Sequence, residues 1–295
     1  MELFNELKER GHEQVSFFHD PYSGLKGIVA IHNTVLGPAL GGCRMWNYGT
    51  ETEALVDVLR LSKAMTYKAA IAGLNLGGGK AIIIGDSKIQ KTENLFRSFG
   101  RFVEGLGGRY ITAEDVGTSI RDMEFVRMET NYVTGISQAL GGSGDPAPVT
   151  AYGVFTGMKA CIKERLNKTT FDSLKVSVQG LGHVGMHLCD YLHDAGAKLV
   201  VTDLDPVVIE EAVENFSASP VNENSILNED VDIYAPCALG ATINHKTIEQ
   251  LKCSIIAGAA NNQLAESKLG MKLKQKNILY APDYAINAGG LINVS

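Results

Sequence analysis

The feature that most constrains the fold is a glycine turn at a strand–helix junction. Gly180-Leu181-Gly182-His183-Val184-Gly185 follows the apolar run Val176 to Val178 and opens a segment that reads as a helix over His183 to Ala195. A G-x-G-x-x-G says little alone; in this context each glycine has a task. Gly180 permits the tight turn, Gly182 lets a pyrophosphate approach the backbone, and Gly185 lets helix and strand pack closely. The helix N-terminus, from His183 and Val184 onward, offers free N–H groups and a positive dipole end to phosphates. A second apolar run, Leu199 to Thr202, ends in Asp203, eighteen residues after Gly185. A carboxylate there can accept the ribose hydroxyls of NAD and would repel the 2′-phosphate of NADP. No Arg follows Asp203, so NAD is the expected cofactor.

The second half continues in the same rhythm. Strand-like runs are predicted at Lys175 to Val178, Leu199 to Thr202, Val231 to Tyr234, Ser254 to Ala257 and Ile278 to Tyr280, with a second helix at Pro206 to Asn215. Strands alternating with helices imply a parallel, doubly wound sheet of Rossmann type. The first half mixes its elements. Strands are predicted at Leu25 to Ile31, Ala81 to Ile84 and Tyr110 to Ala113. A helix is predicted at Thr50 to Ala70, with a capping box at Thr50 and Glu53 and an apolar face of Leu55, Val58, Leu59, Ser62 and Met65. Gly141 to Pro148 (GGSGDPAP) cannot continue a helix or central strand. Thr150 is placed to cap a helix over Ala151 to Arg165. The expected organisation is α/β in two domains: 1–140, a hinge at 141–150, and 151–295.

Composition excludes other classes. The formal net charge is -6 with no basic stripe, which disfavours a nucleic-acid partner. Cys43, Cys161, Cys189, Cys237 and Cys253 are odd in number and form no C-x-x-C, as expected of reduced thiols in the cytoplasm. The charged segment Met1 to Gly11 lacks an apolar leader, and the apolar runs are too short or too broken to span a bilayer. No membrane partner is expected.

A second constellation lies in the first half. Gly77-Gly78-Gly79-Lys80 precedes the strand at Ala81, and three glycines let the main chain approach a ligand. It is not a P-loop, because Leu74 stands where the first glycine would be and Ala81 replaces the magnesium-binding hydroxyl. Lys68 ends the Thr50 helix, with Met65 one turn earlier on the same face. Asp115 follows the strand Tyr110 to Ala113, and the carboxyl ends of strands carry sites in open α/β sheets. Two lysines and a carboxylate suit amino-acid oxidation: one cation holds the α-carboxylate, the other, desolvated beside a like charge, activates water, and the acid exchanges protons with the amine. Spacing alone favours Lys68 and Lys80 as solvated surface residues.

Two features carry less. His183 and His187 have the i, i+4 spacing of metal ligands but no third ligand, so no metal is expected. Arg97, Arg101 and Glu104 form a charged helix face and read as solvated.

The ordered runs Gly37-Pro38-Ala39-Leu40-Gly41-Gly42, Met65-Thr66-Tyr67-Lys68, Gly73 to Lys80 and Thr112-Ala113-Glu114-Asp115-Val116-Gly117 carry a family resemblance. So do Gly141 to Pro146, Gln179 to Gly182, Ala257 to Asn262 and Asn287 to Gly290. Over nearly its whole length the chain resembles the leucine/phenylalanine/valine branch of the glutamate-dehydrogenase superfamily. The resemblance implies NAD-dependent oxidative deamination of a small aliphatic L-amino acid. A substrate-binding and oligomerisation domain would precede the NAD domain, in a homo-oligomer when full length. It implies that Lys68 binds the substrate carboxylate, Lys80 is catalytic and Asp115 exchanges protons with the amino group. Leu40, Ala113, Leu291 and Val294 would line the side-chain pocket, with the Gly41–Gly42 backbone and Met65 beside it. Thr150, Asn261 and Asn262 would lie near the nicotinamide, and Cys237 and Ala238 along the cofactor. Competing readings are an aromatic amino-acid dehydrogenase of the same family and a dinucleotide-binding regulator that has lost catalysis. Cys43 stands where the family usually has Thr and reads as a tolerated small residue, with a reactive thiol as the alternative. Family members continue past the position of Ser295, so a C-terminally truncated chain is expected.

Overall fold

Thr50 starts the longest helix of the first half as its sequence suggests. Its hydroxyl accepts the Glu53 N–H at 3.1 Å, but the Glu53 carboxylate reaches back to the N–H of Gly49, one residue before the cap. That helix, α2 (Glu51–Ile71), follows α1 (Leu3–Arg10), β1 (Gln14–Asp20), β2 (Leu25–Asn33) and β3 (Ala39–Trp46). It is succeeded by β4 (Gly77–Ile84), α3 (Glu93–Glu104), β5 (Tyr110–Glu114) and α4 (Ile120–Arg127). The computed structural model describes residues 3–238 and 240–295. They form two units, one running to Pro146 and taking in Leu291–Ser295, the other Ala147–Gly290.

The first unit is built on a mixed sheet of order β1-β2-β4-β3-β5. β2 is antiparallel to β1 and β4, whereas β3 is parallel to β4 and β5. Side chains alternate between its faces. Val29, Cys43, Met45, Ala81 and Ile83 pack with Leu95, Phe96 and Phe99 of α3. Ile28, Ala30 and Ile82 point the other way, onto Ala54, Leu55, Val58 and Leu59 of α2. By the same alternation Lys80 and Arg44 belong to the α2 face.

The triple glycine differs from its expected place. Gly77, Gly78 and Gly79 are not a loop before the strand but the buried start of β4. A Cβ on Gly78 would lie 2.1 Å from the Thr66 nitrogen of α2, and one on Gly79 would lie 2.7 Å from the Tyr110 ring. The glycines let helix and sheet approach one another, a packing demand that outweighs their poor strand propensity.

The second unit contains α5 (Ala147–Leu166), β6 (Lys175–Gln179), α6 (His183–Asp194), β7 (Lys198–Thr202), α7 (Pro206–Phe216) and β8 (Ser219–Pro220). After these come β9 (Ile233–Pro236), β10 (Ile255–Ile256), α8 (Leu269–Gln275), β11 (Leu279–Tyr280), α9 (Asp283–Ile286) and α10 (Gly289–Val294), the last ending in the first unit. The sheet is wholly parallel, in the order β11-β10-β9-β6-β7-β8. The chain winds outward from β6 in one direction and then from β9 in the other. This is the doubly wound arrangement, with its switch point between β6 and β9. Its core joins Val176 and Val178 to Leu188 and Leu192 of α6 and to Val154 and Met158 of α5.

One helix boundary departs from expectation. α5 begins at Ala147, so Thr150 sits in its first turn and is not its cap. Pro148 is tolerated there because a first-turn residue needs no N–H partner and its fixed φ suits the helix. Among the described residues, no helix is long and apolar enough to cross a membrane.

Candidate active site

Both lysines are buried, against the expectation from spacing. Lys80 is 4% exposed and Lys68 is 8% exposed. Lys80 stands in β4, paired with Ala30 of β2, where the glycines at 77–79 bring the strand under α2. Lys68 lies in the last turn of that helix. Lysines are almost never fully buried unless paired. Lys80 has such a pair: its Nζ donates to Asp115 Oδ2 at 2.9 Å.

Asp115 follows β5 in a turn that is tied from several sides. Its N–H donates to Thr118 Oγ1 at 2.9 Å, and that hydroxyl donates to the Cys43 carbonyl of β3 at 2.8 Å. Gly117 is left-handed at φ 81°, and a Cβ there would lie 2.0 Å from the Met45 carbonyl oxygen. The carboxylate also accepts from Arg44 Nε at 3.1 Å. Burial pushes its pKa up, but Lys80 and Arg44 overcome this and hold it well below the usual carboxylate range. Asp115 is therefore held as an anion beside the Lys80 ammonium.

The adjoining acid behaves oppositely. Glu114 is raised from 4.5 to about 7, chiefly by burial and then by Asp145 and Asp115. Two neighbouring carboxyls are thus driven apart by their surroundings, one held as an anion and one able to carry a proton near neutrality.

Of the expected pocket residues, Leu40, Met65 and Leu291 fall in one apolar cluster, and Ala113 and Val294 lie outside it. Leu40, Ala69 and Leu291 are buried together, with Met65, Leu74, Leu76 and Ile111 against them. Gly42 pairs with Ala113 across β3 and β5. Val294 is half-buried, and its carbonyl accepts from Thr134 Oγ1 at 2.9 Å. Gly41 meets its neighbour too closely for any side chain: a Cβ would lie 1.8 Å from the Gly79 carbonyl oxygen. Cys43 is fully buried on the opposite face, in the α3 core. Burial, with Asp115 as the second cause, pushes its thiol far up, so the reactive-thiol alternative is corrected to a packing residue.

In the second unit the glycine turn lies at the sheet's switch point. Gly180 has φ 99°, and its N–H donates to the Thr202 carbonyl at 2.9 Å. A Cβ on Gly185 would lie 2.0 Å from the Gly180 carbonyl oxygen, whereas one on Gly182 would meet nothing within 4 Å. The middle glycine is thus not required by packing; it opens toward free space at the N-terminus of α6, beside the exposed His183 and the part-buried Val184. Asp203 Oδ2 accepts the Leu181 N–H at 2.6 Å, which fixes the carboxylate beside the turn. These features fit a dinucleotide: an open backbone for pyrophosphate and an acid at the end of the second strand.

The other expected cofactor residues group around that sheet. Ala238 abuts Gly180, and the Cys237 N–H donates to the Gln179 carbonyl at 2.7 Å. Burial raises the Cys237 thiol to about 11. Asn262 is left-handed at φ 52°, and its N–H donates to Asp283. Thr150 lies beneath Gly289, where a Cβ would come 3.2 Å from the Thr150 Cα.

Sequence reasoning assigned no role to several residues on which these groups depend. The amide of Asn287 donates at 2.9 Å to both Asn261 Oδ1 and the Ala259 carbonyl; its only sequence signal was membership of the Asn287–Gly290 run. Arg44, Asp57 and Tyr48 carried no signal, because what joins them is cross-strand and helix–sheet contact.

The second unit has the fold and glycine turn of a dinucleotide-binding domain. Together with a buried lysine–carboxylate pair on a separate mixed sheet, it defines a two-domain dehydrogenase. Comparison with known proteins agrees. Residues 12–132 match the family "Glu/Leu/Phe/Val dehydrogenase, dimerisation domain", and residues 141–213 and 208–295 match "Glutamate/Leucine/Phenylalanine/Valine dehydrogenase". The chain is 56% identical to a leucine dehydrogenase of Bacillus subtilis (strain 168), over 100% of this chain and 81% of that protein. It is 57% identical to one of Geobacillus stearothermophilus, over 100% and 80%. The crystal structure of L-tryptophan dehydrogenase from Nostoc punctiforme superposes with a TM-score of 0.79 at 49% identity, covering 99% of this chain and 83% of that one. The chain belongs to the Glu/Leu/Phe/Val dehydrogenase family and is an oxidoreductase that uses a nicotinamide cofactor.

Proposed function

We propose that this enzyme catalyses the reversible, NAD-dependent oxidative deamination of leucine, isoleucine and valine to their 2-oxo acids and ammonia. The Lys80–Asp115 ion pair, on the sheet face that α2 covers with Lys68, carries the reading. Lys68 holds the substrate carboxylate, a task for a cation that α2 keeps in place. Asp115 takes a proton from the substrate ammonium. The Cα–H leaves as hydride, and the resulting imine is attacked by water. Lys80 takes the water proton and stabilises the carbinolamine, whose C–N bond breaks to give the 2-oxo acid and ammonia. Per turnover, one amino acid, one NAD and one water become one 2-oxo acid, one ammonium, one NADH and one proton. NAD, when bound, supplies the hydride acceptor. Gly180, Gly182, His183, Val184, Gly185 and Asp203 would hold its adenosine and phosphates, Cys237 and Ala238 would lie along it, and Thr150, Asn261 and Asn262 would lie near the nicotinamide.

Aliphatic substrates are favoured because Leu40, packed with Leu291 and Ala69, occupies volume that an aromatic ring would need. The names of these two bacillar relatives support the same substrate class. A homo-oligomer is proposed from the dimerisation-domain match, and a cytoplasmic location from five free cysteines. The test is NADH absorbance after adding NAD or NADP with a panel of L-amino acids. Turnover is expected with NAD and the three branched-chain substrates. Preference for phenylalanine or tryptophan, or for NADP, would sink the reading.

A further inference from the structure

Asp115 is approached by two cations, and both end on the same oxygen. Lys80 Nζ lies 2.9 Å from Oδ2 and Arg44 Nε lies 3.1 Å from it. Oδ1 takes no part in either ion pair. Arg44 also donates through a different nitrogen, Nη1, to Asp57 Oδ2 at 2.9 Å. That oxygen accepts the Tyr48 hydroxyl at 2.6 Å as well. The guanidinium is planar, so two of its N–H groups bound to two fixed carboxylates set its position and its tilt.

The two cations are not equivalent in use. On the function proposed above, on which this inference rests, Lys80 exchanges its proton and its hydrogen bonds during turnover. It cannot also be the constant anchor of Asp115. Arg44 stays protonated under all folding conditions and is anchored from behind by Asp57 of α2. We propose that Arg44 is a positioning residue for the reaction: it holds the Asp115 carboxylate in its working orientation while Lys80 changes protonation state. Asp57 and Tyr48 form the support that orients Arg44. The relay runs from Tyr48, between β3 and α2, through Asp57 on α2 and Arg44 on β3 to the turn after β5.

The relay is tested by a mutant cycle read against leucine. Arg44→Met should lower kcat about a hundredfold, the order expected when a reacting group is misplaced by an ångström. NAD binding, measured by equilibrium dialysis, should be unchanged. Arg44→Lys, which keeps a cation but not the planar fork, should recover part of the loss. In an Asp115→Asn background Arg44→Met should have little further effect, since Arg44 acts through that carboxylate. Wild-type kcat in Arg44→Met, or equal losses in both backgrounds, would overturn the proposal. A crystal structure of Arg44→Met gives a readout independent of turnover. The Asp115 carboxylate should turn away from its wild-type orientation, and an unmoved Asp115 would also overturn the proposal. Failure of the wild type to oxidise any amino acid would instead sink the function, leaving the crystallographic result to decide the relay. Should Arg44→Met not fold, Asp57→Asn carries the same test; it should shift Asp115 in the same direction with a smaller kcat loss, and an unchanged kcat and an unmoved Asp115 would overturn the relay.

Discussion

Gly42 makes room for Asp115. A Cβ on Gly42 would lie 2.9 Å from the Asp115 Cβ and 2.3 Å from the Glu114 carbonyl oxygen. The turn after β5 therefore closes over β3 only because position 42 has no side chain. Gly42→Ala should displace the turn and with it the carboxylate. Overpacking of this kind costs about 1–3 kcal/mol of stability, which urea unfolding would register. kcat on leucine should fall by more than that stability loss implies, because the displaced group is the proposed proton acceptor. Wild-type kcat in Gly42→Ala would show that the turn accommodates the methyl without moving Asp115.

Lys80→Ala should remove nearly all turnover and leave NAD binding intact, because the lysine stands in the first unit and the glycine turn in the second. Retention of about a tenth of wild-type kcat, a barrier change of only about 1.4 kcal/mol, would disprove the assignment.

Asp203→Ser removes a carboxylate that is fixed by the Leu181 N–H beside the turn. The expected outcome is a lower kcat/KM for NAD and a higher one for NADP, since the repulsion of a 2′-phosphate is lost. Unchanged values for both cofactors would show that Asp203 is not the ribose ligand.

Leu40→Gly empties part of the cluster that Leu40 shares with Ala69 and Leu291. A methylene in such a pocket is worth about 1–3 kcal/mol of discrimination. Activity on leucine should weaken and phenylalanine should be admitted. If the leucine-to-phenylalanine ratio of kcat/KM did not move, Leu40 would be a core residue without a part in specificity.

Two groups, His12 and the part-buried Glu114, tilt stability with pH in opposite directions. Burial, with His32 as the second cause, lowers His12 from 6.5 to about 4. Its Nε2 lies 3.0 Å from the Leu59 carbonyl and 2.9 Å from Ser62. The unfolded chain then binds more protons than the folded one. This contribution is complete above 6.5 and is lost as pH falls toward about 4. Glu114, raised from 4.5 to about 7, binds its proton more tightly in the folded state, so stability falls as pH rises through that window. Urea midpoints at pH 5 and pH 8 separate the two. Glu114→Gln should gain on the wild type at the higher pH, and His12→Gln should lose less than the wild type at the lower. Parallel pH profiles for both variants and the wild type would disprove the coupling.

The second unit was largely legible in the sequence because its determinants are local. A parallel strand buried on both faces is a short apolar run, and the turn after β6 needs glycines at fixed offsets, so β6, α6, β7 and α7 were read nearly to the residue. The two strands beyond β9 were read too long: only Ile255–Ile256 and Leu279–Tyr280 keep ladder pairing, although Ala257 and Ile278 beside them are buried. The first unit was harder. β3 includes Gly41-Gly42, a low-propensity pair that no periodicity argument assigns to a strand, and the glycines of β4 read as a loop. Lys80 is placed by the glycines before it and the strand after it, and Lys68 by the end of its helix, but their burial could not be read from spacing. It depends on α2 descending onto the sheet at Thr66 and Gly78, which is a contact between distant segments. Arg44, Asp57 and Tyr48 were missed for the same reason.

The crowded glycines divide the site into positions that can vary and positions that cannot. At Gly41, Gly42, Gly77, Gly78 and Gly79 an added methyl would meet an atom at less than 3 Å, at four of the five first of all a backbone atom, which no change of rotamer can relieve. A library randomised at these five codons and selected for folded protein should return glycine. New substrate preferences have to be sought where side chains already stand, at Leu40, Met65, Ala113, Leu291 and Val294. Redesign of this enzyme is thus a problem in five adjustable letters written over a floor of five fixed ones.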